Sequence, residues 1–528
     1  MLRIDQLRLL PDEPETVLLH KCARLLRVEP SALTGLTVLR RAIDARESLT
    51  FVYTVIVSAP QETALLRRCR DKRVTAYAPE QYALPASVDA PAVRPIVVGA
   101  GPAGLFAALV LAKCGARPIL LERGQCVEQR QRDVQRFWAT GELDTESNVQ
   151  FGEGGAGAFS DGKLNTGTRD VRHRFIMEQL VSCGAPADIL TDALPHVGTD
   201  MLHIALQRLR RQLLDAGADI RFGARLEGLT VQDGAVTAVT VRKGGTLYTL
   251  PARQVVLALG HSARDTFEML YDAGLAMEQK PFAMGVRIEH RQSAVDAARY
   301  RRLAGHPSLP PATYKLSCHL PNGRSAFSFC VCPGGQVVAA ASEARRVVTN
   351  GMSEYARDRE SINGALLVNV TPADFPDDHP LSGIRLQRQL EEAAFALGGG
   401  DYRAPCQRVE DFLAGRPSVG AGNVQPSYLP AVTYTDLHRC LPPFISETLA
   451  LALPELGRRL RGYDDPDALL IGVETRSSSP VRLVRDGHYE SNIRGVYPCG
   501  EGAGYAGGIL SAAADGMRCA EKILEVYR

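Results

Sequence analysis

Three glycines and one acidic residue in this chain are spaced to hold a dinucleotide. In Ile96-Val97-Val98-Gly99-Ala100-Gly101-Pro102-Ala103-Gly104 an apolar, β-branched strand runs into a tight turn and straight on into a helix. Gly99 permits the turn, Gly101 leaves room for a pyrophosphate against the backbone, and Gly104 lets the helix lie close on its strand. Pro102 takes the first helical position, where its missing N–H costs nothing. With Ala103 it opens the helix whose free N–H groups and positive dipole end face the phosphates. A second strand, Arg117 to Leu121, ends at Glu122-Arg123-Gly124. Glu122 follows Gly99 by 23 residues, close to where an acidic side chain reaches a ribose hydroxyl pair. The plainer alternative is a βαβ unit with a surface glutamate at a strand end.

A second glycine-rich turn comes some 400 residues later, in Gly495 to Gly508. A strand ends at Gly500, Glu501 follows, and a helix starts near Gly507-Gly508-Ile509, offering open backbone N–H groups. A nicotinamide site needs only the first region. FAD, with its ribityl chain and isoalloxazine ring, accounts for both, Glu501 accepting from the ribityl hydroxyls. Between the two lies Ser147 to Leu164, whose Gly152, Gly154, Gly155, Gly157 and Gly162 are too many for a helix interior. Such a loop can lie flat on an aromatic ring, with Lys163 bringing a positive charge to the flavin or to a substrate anion. Gly260 ends a further buried strand, Val255 to Leu259, and joins the cofactor-binding set.

For catalysis the candidates are Glu474, able to take or give a proton, and Arg476, able to bind a substrate anion, together with Lys163. A salt bridge between Glu474 and Arg476 is an equal alternative. His261 and Arg287 are weaker candidates. Cys330-Val331-Cys332 invites a redox reading, but two structural thiols are the expectation. No second GxGxxG with its strand and helix is present, so no dedicated NAD(P)H domain is expected and NAD(P)H enters only as a transient electron donor. No Cys-x4-Cys follows Glu122, and no metal site is expected.

The pairing of Gly99 to Gly104, Glu122 and Gly500-Glu501 resembles the FAD-binding fold of the glutathione-reductase superfamily. More narrowly, Ser147 to Leu164, Gly260-His261-Ser262-Ala263-Arg264-Asp265 and Gly472 to Pro480 resemble the bacterial FAD-dependent dehydrogenases. The likeness spans nearly the whole chain, including Arg40 to Arg46. It implies a flavin oxidoreductase moving a hydride between flavin N5 and a small molecule, with no substrate attached. A flavin monooxygenase is the alternative. An RNA-acting flavoprotein is a more distant one, disfavoured by the charge and by the lack of aromatic interleaving in the basic cluster Arg67 to Arg73.

The elements that must position these residues follow from length and texture. At 528 residues several domains are expected. Residues 1–90 read as β-α-β-β-α-β, a small ferredoxin-like α+β domain, followed by a linker from Pro79 to Pro95. Residues 91–275 read as the first part of a Rossmann-like, three-layer α/β domain with a parallel sheet. Its β-meander, Leu226 to Arg253, is split by Asp233-Gly234 and Gly244-Gly245. Residues 276–470 are assigned to an inserted α+β substrate or cap domain, and 471–528 to the C-terminal part of the FAD domain. A net charge of +2 gives no reason to expect nucleic acid. Twelve scattered cysteines suit reduced thiols, and the polar N-terminus suits a cytoplasmic protein. The apolar run Ile96 to Ala112 is broken by turn glycines and a proline, so no membrane span is expected. The oligomeric state stays open.

Overall fold

The computed structural model describes residues 1–46 and 49–528. At the N-terminus, strands Leu2–Leu9, Thr34–Asp44, Thr50–Ser58 and Val74–Ala76 form one antiparallel sheet, in the order second, third, first, fourth. Helices Val17–Leu26 and Glu62–Arg68 complete the β-α-β-β-α-β pattern, so the ferredoxin-like reading holds. Leu2 and Ile4, then Leu7 and Leu9 beyond a bulge at Gln6 (φ 61°), point inward and pack with Leu18, Cys22 and Leu26 of the first helix. The expected basic cluster is partly used internally: Arg73 pairs with Asp71 (2.7 Å), and Arg68 reaches the carbonyls that end the first helix. Arg41 fastens this unit to the rest of the chain. Its N–H donates to the Thr191 carbonyl (2.7 Å), its carbonyl accepts from Ala193 N–H (2.8 Å), and its guanidinium pairs with Asp192 (2.9 Å).

Five short strands build the parallel sheet, in the order Val496–Pro498, Val255–Leu257, Ile96–Val98, Ile119–Leu121, Asp219–Arg221. The four strands from Val496–Pro498 to Ile119–Leu121 are buried throughout, as a sheet covered on both faces requires. The two glycine-rich segments, 400 residues apart in sequence, end strands separated only by Val255–Leu257. Each then leads into a helix, Pro102–Lys113 or Ile509–Val526. These helices pack against each other so closely that a Cβ at Gly516 would overlap the Ala103 carbonyl. The meander is present as Ala224–Gln232, Ala235–Lys243 and Thr246–Pro251. Its turn residues Asp233 and Gly234 both have positive φ (50° and 72°), the hairpin geometry that such a dipeptide favours.

The least legible part of the sequence folds around a seven-stranded sheet. Its order is Ser317–His319, Ser325–Cys332, Ser361–Val370, Phe282–Arg291, Leu469–Glu474, Ala404–Arg408, Val432–Tyr434. Helices Ser382–Gly398 and Pro443–Arg459 contribute Leu390, Ala394, Leu449 and Leu453 to its core. Leu469–Glu474 therefore belongs to this second sheet, paired with Phe282–Arg291 and Ala404–Arg408. The sequence reading had placed residues from 471 onward with the C-terminal part of the parallel-sheet domain. Among the described residues no helix is long and apolar enough to cross a membrane.

A Cβ at Gly104 would overlap the Gly99 carbonyl oxygen, so the first helix could no longer seat on its turn. Gly104→Ala, which by helix propensity alone should stabilise, is expected instead to destabilise by about 3 kcal/mol. The shift in denaturation midpoint at constant slope checks it; an unchanged or higher midpoint contradicts the packing.

Candidate functional site

The two glycine-rich turns open on one cavity of about 760 Å³, within the size range of ligand and cofactor sites. On the first side Gly99 adopts φ +102°, where any Cβ would collide with the Ala258 carbonyl. At Gly101 a Cβ would point into open space, with Gly155 Cα the nearest atom at 3.8 Å. Gly101 and Gly155 thus form a cradle without side chains beside the N-terminus of Pro102–Lys113. Pro102, Ala103, Gly99 and Glu122 share its wall, with Ala224 and Leu226 of the meander.

Glu122 is buried and already in use. Oε2 accepts from Ala100 N–H (2.7 Å), and Oε1 accepts from Gly124 N–H (2.8 Å) and Gly152 N–H (2.9 Å). A carboxylate offers about four acceptor positions, so room for a ribose hydroxyl is narrower than the sequence suggested. Arg123 lines the cavity too, but its charge is spent elsewhere: it pairs with Glu146 (3.0 Å) and Asp265 (2.8 Å) and stacks over Phe151 (4.0 Å).

On the other side Gly500 adopts φ +76° and packs against Ala103, which a Cβ would approach to 2.8 Å. Its N–H donates to Asp515 Oδ2 (2.8 Å), and Asp515 is in turn held by Arg485 (2.8 Å). Glu501 lines the cavity and faces His261 Nδ1 at 3.5 Å. It does not cap the last helix, whose N-cap is Gly508 with no side-chain bond. Gly507 and Gly508 have open space where a Cβ would be, and Ile509 touches the Gly157 position (3.3 Å). The eighteen-residue helix Ile509–Val526 thus aims its N-terminus into the cavity, as expected.

The glycine-rich loop between them is pinned rather than loose. Arg130, fully buried, donates to the carbonyls of Asn148 (2.8 Å), Val149 (2.9 Å) and Glu153 (2.7 Å). Gly154 N–H reaches the Ala100 carbonyl (2.8 Å). Gly155, Gly157, Gly162 and Gly260 line the cavity; Gly104 and Gly154 do not, and serve packing behind it. Nothing at position 130 marked this role. An arginine in an amphipathic helix reads as solvent-facing, and only the loop's orphan carbonyls explain its burial.

The three catalytic candidates share the cavity wall but not one another's company. Glu474 and Arg476 form no salt bridge together. Glu474 sits 3.4 Å from Arg287 Nη1, and burial outweighs that attraction, raising its carboxyl to about 7. Arg476 is clamped by Glu391 (3.1 Å) and donates to Ser342 (2.5 Å), while Arg264 holds the same Glu391 at 2.7 Å. Burial, and Arg264 beside it, hold Arg476 below the usual arginine range. An anchor for a substrate anion needs a free guanidinium edge, and most of this one is occupied. Lys163 pairs with Asp161 (2.9 Å), which Arg357 also grips. Cys330 joins the same wall from the seven-stranded sheet, and Thr349 and Asn350 join it from the two-stranded sheet of Gln336–Ala339 and Thr349–Met352; of these, sequence reasoning had considered only Cys330, and had set it aside.

Comparison with known proteins gives this site its family. Residues 281–477 match the model of an FAD-dependent protein, C-terminal domain-like; residues 94–158 match an FAD binding domain; residues 1–58 match a domain of unknown function. An uncharacterized protein of Clostridium beijerinckii is 44% identical over 531 residues, covering 100% of this chain and 99% of that one. Among solved structures, a flavin-dependent brominase aligns at 12% identity over 82% of this chain and 79% of its own, with a TM-score of 0.38. A geranylgeranyl bacteriochlorophyll reductase-like protein from Thermoplasma acidophilum aligns at 12% over 84% and 79%, with a TM-score of 0.35. At these scores the structural likenesses carry no argument. The full-length identity does: the chain belongs to one family with the Clostridium protein, a family of bacterial FAD-binding oxidoreductases by its two flavoprotein models.

The cradle at Gly101 fits a pyrophosphate, and the second helix N-terminus fits the far end of the same cofactor. The purified chain is expected to be yellow and to release FAD, not FMN, on denaturation. Gly101→Val, whose side chain would fill the cradle, is expected to purify folded but with less than about a tenth of that flavin. Full FAD occupancy in this variant contradicts the assignment.

Proposed function

From this family membership we propose that the chain is an FAD-dependent dehydrogenase or reductase, moving a hydride between flavin N5 and a small-molecule substrate. The observation that carries the proposal is the single cavity that joins the dinucleotide turn to the second helix N-terminus, with an ionisable Glu474 on its wall. The glutathione-reductase type of FAD fold is the variant we assign. In this reading Gly99, Gly101, Pro102, Ala103 and Gly155 receive the pyrophosphate, Glu122 keeps its last acceptor position for the ribose, and Glu501 accepts from the ribityl chain. FAD supplies the two-electron chemistry. The protein's part is to orient and to place charge. The N-terminus of Ile509–Val526 offers its dipole where negative charge collects on reduction.

Glu474 is the proton carrier in this proposal. A carboxyl raised to about 7 by burial is poised to exchange a proton at neutral pH. Arg476 and Arg123 act as positioning residues, since their ion pairs fix the loops that present the site. Lys163 supplies positive charge beside Asp161. The substrate domain of the proposal is built on the seven-stranded sheet, and NAD(P)H enters only as a transient electron donor. A cytoplasmic setting suits the scattered free thiols.

A screen of metabolites for bleaching or reoxidation of the flavin identifies the reactive partner. With that partner, the rate of the half-reaction is expected to break near pH 7, and Glu474→Gln to remove the break and slow the step about 10²–10⁴-fold. Folding stability gives an independent check. The raised carboxyl in the folded state makes wild type lose stability as pH rises through about 7, and the glutamine variant should lack that loss. A variant with an unaltered rate and pH profile would assign proton transfer elsewhere.

A further inference from the structure

Cys330 and Cys332 do not sit in a regular strand, where they would share one face two residues apart. Ser325–Cys332 pairs with Ser361–Val370 in regular antiparallel register up to Phe329, opposite Ala365. The register then shifts, and Cys332 faces Asn363. Cys330 sits in the irregularity with φ +41°, a conformation that swings its side chain out of the two-residue alternation. The result is that Cys332 Sγ donates to the Cys330 carbonyl at 3.4 Å, and the two thiols lie close enough to titrate together.

The surroundings suit a thiolate. Arg287 Nη2 donates to the Cys330 carbonyl (2.8 Å) and lies 3.8 Å from Cys332 Sγ. The positive charges of Lys163 and Arg287 both act on the pair. Cys332 is fully buried, whereas Cys330 is partly open and lines the cavity beside Lys163, Thr349 and Glu474. Cys499, which also lines the cavity, neighbours Cys519 beside Arg485, but both are fully buried and the Cys499 thiol is pushed up by Cys519 and by burial; Cys22 and Cys406 are buried singly in apolar cores, where burial pushes the thiol up. At Cys330 the neighbouring Cys332 thiol and the two cations lower it instead, at the expense of Cys332.

We propose that Cys330 and Cys332 are a redox-active dithiol that exchanges two electrons with the bound flavin, which makes thiol–disulfide chemistry part of this enzyme's reaction. In the oxidising direction the S–H bonds of both residues are lost and one S–S bond forms. Two electrons and two protons leave, and oxidised flavin takes up both. In the opposite direction reduced flavin returns two electrons and two protons and the S–S bond opens. The inference rests on the flavin reading above. Arg287 and Lys163 hold the developing thiolate; Cys332 is the resolving sulfur.

The test uses full-length holoenzyme, oxidised with diamide, freed of excess oxidant and titrated anaerobically with dithionite. Wild type is expected to take up about four electrons per FAD, while Cys330→Ser and Cys332→Ser each take about two. Cys69→Ser, altered in the N-terminal sandwich, should match wild type. A second readout needs no turnover and no flavin. Oxidised protein is alkylated under denaturing conditions and digested; wild type is expected to show a Cys330–Cys332 link and two fewer alkylated thiols than its twelve cysteines allow. Two-electron uptake by flavin-loaded wild type, with every thiol alkylated, overturns the proposal. A chain that closes the link but binds no FAD overturns the flavin reading and with it the exchange, so the two failures are told apart.

Discussion

Glu122 receives three backbone N–H groups from three separate stretches of chain: the first glycine turn at Ala100, its own strand end at Gly124, and the distant loop at Gly152. The first turn can seat its helix only because Gly104 leaves space for the Gly99 carbonyl, and the loop can reach Glu122 only because Arg130 gathers its carbonyls. Bonds from N–H groups to a carboxylate are about twice as strong as neutral ones, and a buried carboxylate left without them is costly. The cavity's near wall is therefore defined by one side chain most of whose acceptor positions are spent on the chain itself.

The far wall is built on buried charge of the opposite kind. Arg264 and Arg476 share Glu391, with Glu343 alongside, and Arg287 faces Glu474. Such clusters add little net stability over apolar packing, because desolvation offsets most of the attraction. What they do is fix geometry. The strand carrying Glu474 and the helix Ser382–Gly398 cannot shift relative to each other without leaving a buried arginine unpaired. A rigid wall of this sort suits a site whose cofactor and reacting groups must keep register.

Local rules served the parallel sheet well. Strand, turn and helix at Ile96–Lys113 and the hairpin turns of the meander are each written in a few consecutive residues, so glycine spacing and β-branched runs located them. The ferredoxin-like sandwich was legible for the same reason, since the apolar positions of Leu2 to Leu9 face inward on either side of one bulge. The seven-stranded sheet was not: Phe282–Arg291 is buried almost end to end and yet contains Arg287, Glu289 and His290, polar residues that periodicity assigns to solvent. Their partners, Asn363, Ser427 and Tyr463, lie 76 to 173 residues away, beyond any local window. The salt bridge between Arg476 and Glu474, one of the two readings open for Arg476, fails for the same cause: its partner, Glu391, sits on a helix 85 residues upstream.

The bulge at Cys330 shows how one residue of register can redistribute charge at a site. In a regular strand Cys330 and Cys332 would lie on one face two residues apart, and Val331 on the other. With φ positive at Cys330 the chain turns its carbonyl to Arg287 and to the Cys332 thiol, while Cys330 lines the cavity. Arg287 consequently serves two acids at once, the Glu474 carboxyl and the thiol pair. When Glu474 carries its proton, Arg287 has only the sulfur side to neutralise, and thiolate at Cys330 is favoured. When Glu474 gives its proton up, the carboxylate competes for the same guanidinium, and the thiolate is disfavoured. In the proposed exchange, proton and electron movements on this wall are thereby coupled through one buried arginine, with Lys163 and Asp161 setting the background field.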